Sequence, residues 1–459
     1  MSKKTPTKKN EHPDEPDHFE MVTDYGKSDD EYFTDSNAED SDGNKKPERI
    51  RMYCRYTKYD VVKEAGKNYN DFKLTKKWKS DWDIAWFDGP IGVKILKDMN
   101  CNQRINHYPG IYNLARKNML GRHLKKMKSL LPTHYNFFPK TYMLPLEYKD
   151  FREDSINAKA SPVYILKPDN SCQGQGIFLT RNWESVSQKE QMVAQKYLQK
   201  PHLIDGLKYD LRLYVFINGI NPLRIYLYKD GLARFATCKY HKPSERNLDN
   251  LFMHLTNYAI NKDADNYIEA SGPTSEAVAS KRSYQHILKL IEEKHGIEKR
   301  KELEAGIADL LIKSICMVQP HVHHLVRSSQ PDDLENQFCF QILGFDIMID
   351  HNLRPFLIEI NQMPSFATDS WLDQKVKRGL LIDCMKCLGL SMKRKRKYNK
   401  EKRARMTERL MIKPAHAGQK TKGEKGEAER GSEFQKIEQQ GTAEQCSIAR
   451  AEEDRRNKA

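Results

Sequence analysis

The stretch ILGFDIMIDHNLRPFLIEINQMPS, residues 342–365, reads as two β-strands joined by a turn at Asp350-His351-Asn352. Side chains alternate faces along a strand, so Phe345, Ile347 and Ile349 share one face, and Phe356, Ile358 and Ile360 share one face of the next strand. Those six are expected to face the core. The opposite face then carries Asp346 on the first strand and Glu359 and Asn361 on the second. Antiparallel pairing about the turn sets Asp346 opposite or nearly opposite Glu359. Two carboxylates side by side repel one another and raise a pKa unless a cation sits between them. Together with an amide oxygen they form an incomplete all-oxygen shell, suited to Mg²⁺ that keeps waters and substrate phosphates as further ligands. The alternative on this segment alone is a solvent-facing polar strand face, common in antiparallel sheets.

Working outward, VYILKPDNSCQGQGIFLTRN (residues 163–182) sets a glycine-containing loop between two β-rich runs. It lacks the GxxxxGK[ST] pattern and the strand-to-helix context of a P-loop. Gly174 and Gly176 would let backbone amides approach phosphate oxygens, and Lys167 just before the loop supplies a point charge. An ordinary hairpin with a glycine turn is the competing reading. Between these elements Tyr214, Phe216, Tyr226 and Tyr228 mark strands, and Lys229-Asp230-Gly231 reads as a hairpin turn. Lys208, Asp210, Arg212, Arg224 and Arg234 lie on or beside those strands. Such a density of charge suits a phosphate and carboxylate site better than a core.

The whole chain has 459 residues, of which 38% are hydrophobic and 31% charged, so part of it is expected to be unfolded or highly solvated. The ends supply that part. Residues 11–42 carry thirteen acidic side chains against Lys27 alone, and residues 1–48 read as a disordered acidic leader. Residues 49–390 mix strands with helical patterns at 111–131 and 300–318, the texture of an α+β or α/β enzyme. A basic segment follows at 391–413, and residues 414–459 are expected to form a second disordered tail. A net charge of +15 points to a polyanionic partner: nucleic acid, an anionic membrane or an acidic protein surface. No apolar run is long enough to span a membrane, the start does not read as a signal peptide, and the nine cysteines lack zinc-module spacing. A reducing cytosolic setting is expected. His321, His323 and His324 lack matched partners for a metal site, and Cys384 and Cys387 sit in an apolar helical pattern; neither group is assigned a role.

Taken in order, KPDNSCQGQGIF, QKYLQKP, KYDLR, GLARFAT, HLTNYAIN and GFDIMID with IEINQMPSF resemble the motifs of the tubulin tyrosine ligase-like family. The flanking QRINHYPGIYNLARKNML and TDSWLDQKVKRGLL are similar as well, most closely to its glutamate-adding branch. The resemblance covers roughly residues 51–409. It implies an α+β architecture of the ATP-grasp kind, with ATP held between two lobes and Mg²⁺ as the metal. Adenine would be read by backbone at Gln195, Lys196, Tyr197 and Leu198. Lys167, Gln173, Gly174, Lys208, Tyr209, Asp210, Thr256 and Asn257 would complete the nucleotide site. Asp346, Glu359 and Asn361 match the family's metal ligands, the same trio that strand alternation selects.

The reaction so implied is transfer of the ATP γ-phosphoryl to an acceptor carboxylate on a tubulin tail, then attack on the acylphosphate by the amino group of free L-glutamate. Arg212 would stabilise the developing charge, with Lys167 beside it, while Arg234, Tyr258 and Lys281 grip the incoming glutamate. Relatives in that branch usually carry a basic residue where this chain has Gln175, and His directly after the metal-binding Asn361, where this chain has Gln362 followed by Met363. Both positions adjoin the acceptor, which leaves branch initiation against elongation, and the choice of tubulin subunit, open. The resemblance implies a monomeric protein on microtubules, in the cytoplasm and cytoskeleton or at the cilium basal body or axoneme. Nucleic-acid and membrane partners are not expected. A glycine- or tyrosine-adding enzyme and a catalytically dead microtubule-binding protein are the alternatives. The segment KRKRKYNKEKRARMTERLMIK would form a cationic anchor helix for the microtubule, with Met406, Leu410 and Met411 along one edge.

Overall fold

The computed structural model describes residues 48–78, 82–100, 102–158, 162–169, 174–331 and 338–411. The expected acidic leader, apart from Glu48, the tail at 414–459 and the site residue Gln173 lie outside the described residues. The fold is mixed α and β, built on three sheets. Strands β1 (Arg51–Tyr56), β2 (Lys73–Thr75), β3 (Ile84–Phe87) and β4 (Arg104–Ile105) form a parallel sheet in the order β2-β1-β3-β4. Strands β5 (Thr141–Leu144), β6 (Tyr164–Pro168), β7 (Phe178–Thr180) and β8 (Met192–Lys196) form an antiparallel sheet in the order β5-β8-β6-β7.

The third sheet carries the charged residues. It contains β9 (Leu203–Ile204), β10 (Leu207–Ile220), β11 (Leu223–Lys239), β12 (Lys281–Ser283), β13 (Gln341–Ile349) and β14 (Pro355–Asn361), in the order β12-β11-β10-β13-β14 with β9 beside β10. One face presents Leu211, Leu213, Val215, Phe345 and Ile347 to the helices Tyr284–His295 and Ile297–Cys316, in the largest apolar cluster of the described residues. On the other face Tyr214, Phe216 and Leu232 pack against Leu372, Val376 and Leu380 of the helix Trp371–Cys387. Both faces are therefore covered, and every residue of β13 is buried. At roughly 25 cal/mol per Å² of apolar surface removed from water, this double burial is what fixes the sheet as a rigid platform.

Three local expectations change. The phase of β14 slips between Ile347 opposite Leu357 and Asp346 opposite Glu359, so Ile358 is the extra residue of a β-bulge. Leu357 and Ile360 are consequently the buried core residues, while Phe356 and Ile358 are only half-buried and do not join that core. Second, Lys229-Asp230-Gly231 is not a turn. The chain reverses at Asn221-Pro222, and Lys229-Asp230-Gly231 lies within β11 at a register shift opposite β10. Gly231 is there for close approach: a Cβ on it would sit 2.7 Å from the Arg212 carbonyl oxygen. Third, the helix expected over 111–131 breaks at Arg116, whose extended ψ of 123° separates Tyr112–Ala115 from Lys117–Leu130. The pattern at 300–318 forms the helix Ile297–Cys316.

The basic segment is a helix, Met392–Met411. Its first part belongs to the main compact unit, which ends at Tyr398. Lys395 is buried there, its Nζ 3.0 Å from Asp83 Oδ2. Residues 399–411 form part of a second unit, in which the side chains of 401–408 are exposed, Met406 among them. The side chains of Leu410 and Met411 lie outside the described residues.

Candidate active site

A row of charged side chains crosses the third sheet because backbone register sets them side by side. Lys281 pairs with Arg234, Arg234 with Asp210, Arg212 with Asp346, and Asp346 with Glu359. Asp210 and Arg212 are two apart on β10 and so share a face. Arg212 grips Asp346 through both ends, Nε to Oδ1 and Nη2 to Oδ2, the latter at 2.9 Å. Arg234 makes the same two-pronged contact with Asp210, Nε to Oδ1 at 3.1 Å, and also reaches Asp346 Oδ2 at 2.9 Å. Such planar, charge-assisted pairs hold geometry as well as charge. Gly344, opposite Asn361, leaves room for them: a Cβ there would lie 3.1 Å from Arg212 Cδ.

The two carboxylates at the end of the row behave differently. Burial alone would raise Asp346, but the guanidiniums of Arg212 and Arg234 hold it well below the usual carboxylate range. Burial, and then the neighbouring Asp346 charge, push Glu359 up. Asn361 Nδ2 donates to Glu359 Oε1 at 3.3 Å and lies 3.5 Å from Asp346 Oδ2. Half a turn of that amide would present its oxygen to the same space. A buried carboxylate, a half-buried one and an amide in contact fit a hard divalent cation that takes its remaining oxygens from elsewhere. Among the described residues no cluster of three or more His, Cys, Asp or Glu is placed to hold a metal, so this mixed trio is the candidate.

Further cationic groups converge on the same face, Lys167 from the second sheet and Lys208 from the start of β10. Lys167, on β6, donates to Gln195 Oε1 at 2.9 Å, and burial brings its pKa down to about 8, opposed by the Glu359 and Asp346 carboxylates. Lys117, at the start of the helix Lys117–Leu130, lowers it further. Lys208 donates to the Tyr197 hydroxyl at 2.9 Å and to the His254 carbonyl at 2.5 Å, and burial lowers it to about 7. The glycine loop meets this group at Asn257. Gly174, at φ +89°, leaves no room for a Cβ, which would fall 2.7 Å from Ile260 Cδ1 and 3.3 Å from Asn257 Cγ. Thr256 beside it is buried.

Not every expected residue arrives. Tyr209 alternates to the opposite face of β10, stacks on Phe235 and bonds His202 through its hydroxyl at 2.8 Å, so its side chain belongs to the core. Arg224 binds the Asn218 carbonyl near the hairpin end of β10 and β11, away from the row. The backbone N–H groups of Lys196 and Tyr197 are bonded to the carbonyls of Lys140 and Val163, and the Lys196 side chain is exposed. Gln175 is exposed. Gln362 lines a pocket with Tyr59, Trp86 and Phe366, next along β14 from Asn361.

Two residues were not singled out from sequence. Asp373, near the start of the Trp371–Cys387 helix, takes Lys281 Nζ on Oδ2 at 2.6 Å and Lys377 Nζ on Oδ1 at 2.8 Å. The Lys281 ammonium in turn lies 4.3 Å from the centre of the Tyr258 ring. The signal available was the i,i+4 spacing of Asp373 and Lys377 within an apolar helical pattern.

Residues 94–397 match the family described as the tubulin-tyrosine ligase family. The chain belongs to that family. Within it, the chain is 43% identical over 358 residues to a protein of Tetrahymena thermophila named probable beta-tubulin polyglutamylase, covering 77% of this chain and 30% of that one. It is 45% identical over 332 residues to the human tubulin polyglutamylase TTLL13 (72% and 40% covered), and 38% identical over 354 residues to the zebrafish, Danio rerio, tubulin polyglutamylase ttll6 (77% and 44% covered). The chain thus spans between 30% and 44% of the length of these relatives. The family region takes in the whole charged row, the glycine loop and the Asp373 cluster. Chemically, a line of guanidiniums and ammoniums facing the Asp346 and Glu359 carboxylate pair can bind a polyphosphate through a cation and neutralise charge spreading during phosphoryl transfer.

Proposed function

We propose that this chain is an ATP-dependent ligase that adds glutamate to glutamate side chains or chains on tubulin C-terminal tails. The observation that carries the reading is the Arg212, Asp346 and Glu359 row facing Lys167 across the second and third sheets. The relatives' names as tubulin polyglutamylases support the substrate. In this reading residues 49–390 are an ATP-grasp catalytic region, with the second and third sheets as the walls of the nucleotide cleft. Lys167, Lys208 and the loop at Gly174, with Thr256 and Asn257, hold the phosphates. The adenine edge is read near Tyr197 and Leu198 through groups other than the committed N–H of Lys196 and Tyr197.

Asp346, Glu359 and the Asn361 amide fit Mg²⁺, which when bound supplies charge neutralisation on the polyphosphate. Arg212 faces the transferring phosphoryl. The acceptor carboxylate oxygen attacks phosphorus as the bond to ADP breaks, giving an acylphosphate. The glutamate amine then attacks the acyl carbon, loses a proton and expels phosphate. The chain's contribution is position and electrostatics rather than a covalent nucleophile. Arg234, Lys281 and Tyr258 are the candidates for the donor amino acid. Arg234 also touches Asp346, so it ties the donor end to the metal end. Gln175 and Gln362 lie on the acceptor side.

The basic segment at 391–413, whose described part holds the helix Met392–Met411, is read as an anchor on the acidic microtubule surface, a reading that puts the work on the cytoskeleton, including that of cilia. Purified chain, incubated with tubulin, ATP, Mg²⁺ and one amino acid at a time, is the test. Mass steps of one glutamate residue on the tail peptides are expected, and steps of glycine or tyrosine, or none, would overturn the reading.

A further inference from the structure

Two buried ammonium groups share one carboxylate beside the Arg234 end of the row. Asp373 is 2% exposed, Lys377 6% and Lys281 8%. Asp373 Oδ2 accepts from Lys281 and, at 2.7 Å, from the hydroxyl of the N-cap residue Ser370; Oδ1 takes Lys377. Lys377 also donates to the Ala367 carbonyl at 2.5 Å, which ties it to the segment leading into the helix. Lys281 is held differently: it belongs to β12, stands opposite Arg234 and has its ammonium over the Tyr258 ring.

The charge count matters. Arg212 is matched by Asp346 and Arg234 by Asp210, whereas Lys281 and Lys377 together have Asp373. Here one carboxylate serves two buried ammoniums. A buried ammonium that shares its carboxylate keeps hydrogen-bonding capacity for a further partner. A fold that needed only a structural staple would do as well with one lysine. An anionic ligand reaching this cluster would give the Lys281 ammonium, oriented by Asp373, a second partner.

We propose that Asp373 is the positioning residue of the donor pocket: it fixes Lys281 so that its ammonium meets a carboxylate of the incoming amino acid, while Lys377 is drawn aside to the Ala367 carbonyl. The proposal rests on the glutamate-ligase reading. Its chemistry selects a donor with a second carboxylate over one with a neutral side chain. Asp373→Asn frees Lys281 without removing it, and Lys377→Gln removes the second cation while leaving the Lys281 to Asp373 bond intact.

The test uses the full chain, tubulin, ATP and labelled glutamate. Asp373→Asn is expected to raise the KM for glutamate about tenfold or more, the size of one charge-assisted hydrogen bond, with the KM for ATP changed less than about twofold. Lys377→Gln is expected to raise it less than about threefold. Asp373→Glu, which keeps the charge one methylene away, is expected to fall between wild type and Asp373→Asn, and it serves as the reading if the asparagine variant does not fold. Equal effects of the Asp373 and Lys377 variants, parallel rises in both KM values, or a folded Asp373→Glu with wild-type KM would each overturn the assignment. A wild-type chain that incorporates no glutamate sinks the ligase reading itself, which is a separate outcome.

Discussion

Arg212 and Asp346 stand directly opposite one another on β10 and β13, joined at both ends of the guanidinium, while Glu359 flanks Asp346 from the other side. One carboxylate thus sits between a cation and a second carboxylate. Asp346 is held down and Glu359 is pushed up. The sign of each follows from linkage. A depressed carboxyl stabilises the fold above its unfolded pKa and loses that contribution as pH falls. A raised one contributes below its unfolded pKa and loses it as pH rises through the folded value.

At neutral pH and without divalent cation, Asp346→Asn should therefore destabilise the fold by about 3–5 kcal/mol, because two buried guanidiniums lose a partner. Glu359→Gln should be within about 1 kcal/mol of wild type or more stable, since it removes a charge the site disfavours. Urea unfolding in the presence of a chelator measures both. Both variants should lose turnover by about tenfold to a hundredfold or more. Equal destabilisation would mean that Arg212 and Arg234 do not depend on Asp346.

Lys167 and Lys208 carry pKa values lowered by burial to about 8 and about 7. A phosphate site needs both protonated, so kcat/KM for ATP, which reports the free enzyme, should fall as pH rises through that range. The loss should reach about tenfold or more by roughly pH 9. A profile flat across the range would show that neither ammonium meets the nucleotide.

Gly231 tests the packing beneath Arg212. Its missing Cβ would meet the Arg212 carbonyl oxygen at 2.7 Å and Leu213 Cδ2 at 2.8 Å, and backbone cannot rotate aside as a side chain can. Gly231→Ala is expected to cost about 1–3 kcal/mol, measured by chemical denaturation. Because the displaced strand carries Arg212, kcat should fall while the KM for ATP holds. An alanine variant with wild-type stability would show that β10 and β11 can part there.

The end of the site nearest β14 was legible because strand alternation is a local rule: Asp346, Glu359 and Asn361 follow from period two, and their pairing follows from one short turn. The same rule misassigned Ile358 and Phe356, since a bulge inserts one residue and no composition marks it. It is the bulge that lets Leu357 and Ile360 fill the core while Glu359 still reaches Asp346. Lys229-Asp230-Gly231 misled for a related reason. A glycine needed for close approach looks the same in sequence as one needed for a turn. Asp373 was hidden because its partner Lys281 lies 92 residues away in the chain.

The basic helix divides into two kinds of charge, and this reshapes what charge reversal should do. Lys395 is buried and paired with Asp83, whose Oδ2 also accepts from the Arg51 backbone, so this lysine fastens the start of the helix to the first sheet. Lys395→Glu would set two buried carboxylates against each other and should destabilise the fold by about 3 kcal/mol or more. Lys402, Arg403 and Arg405 are exposed and belong to the second unit. Exposed charges act weakly one at a time and are screened beyond about 8–10 Å at physiological salt, so any hold on an acidic lattice needs several together. Changing Lys402, Arg403 and Arg405 to Glu should leave thermal unfolding unchanged and sharply reduce modification of intact microtubules, most clearly at physiological salt. Modification of a short soluble tail peptide should survive, because the charged row on the third sheet is untouched. Cosedimentation with microtubules across a salt series, run beside the peptide assay, separates the outcomes. Equal losses on lattice and peptide would remove the anchor role and point to a structural one for this segment.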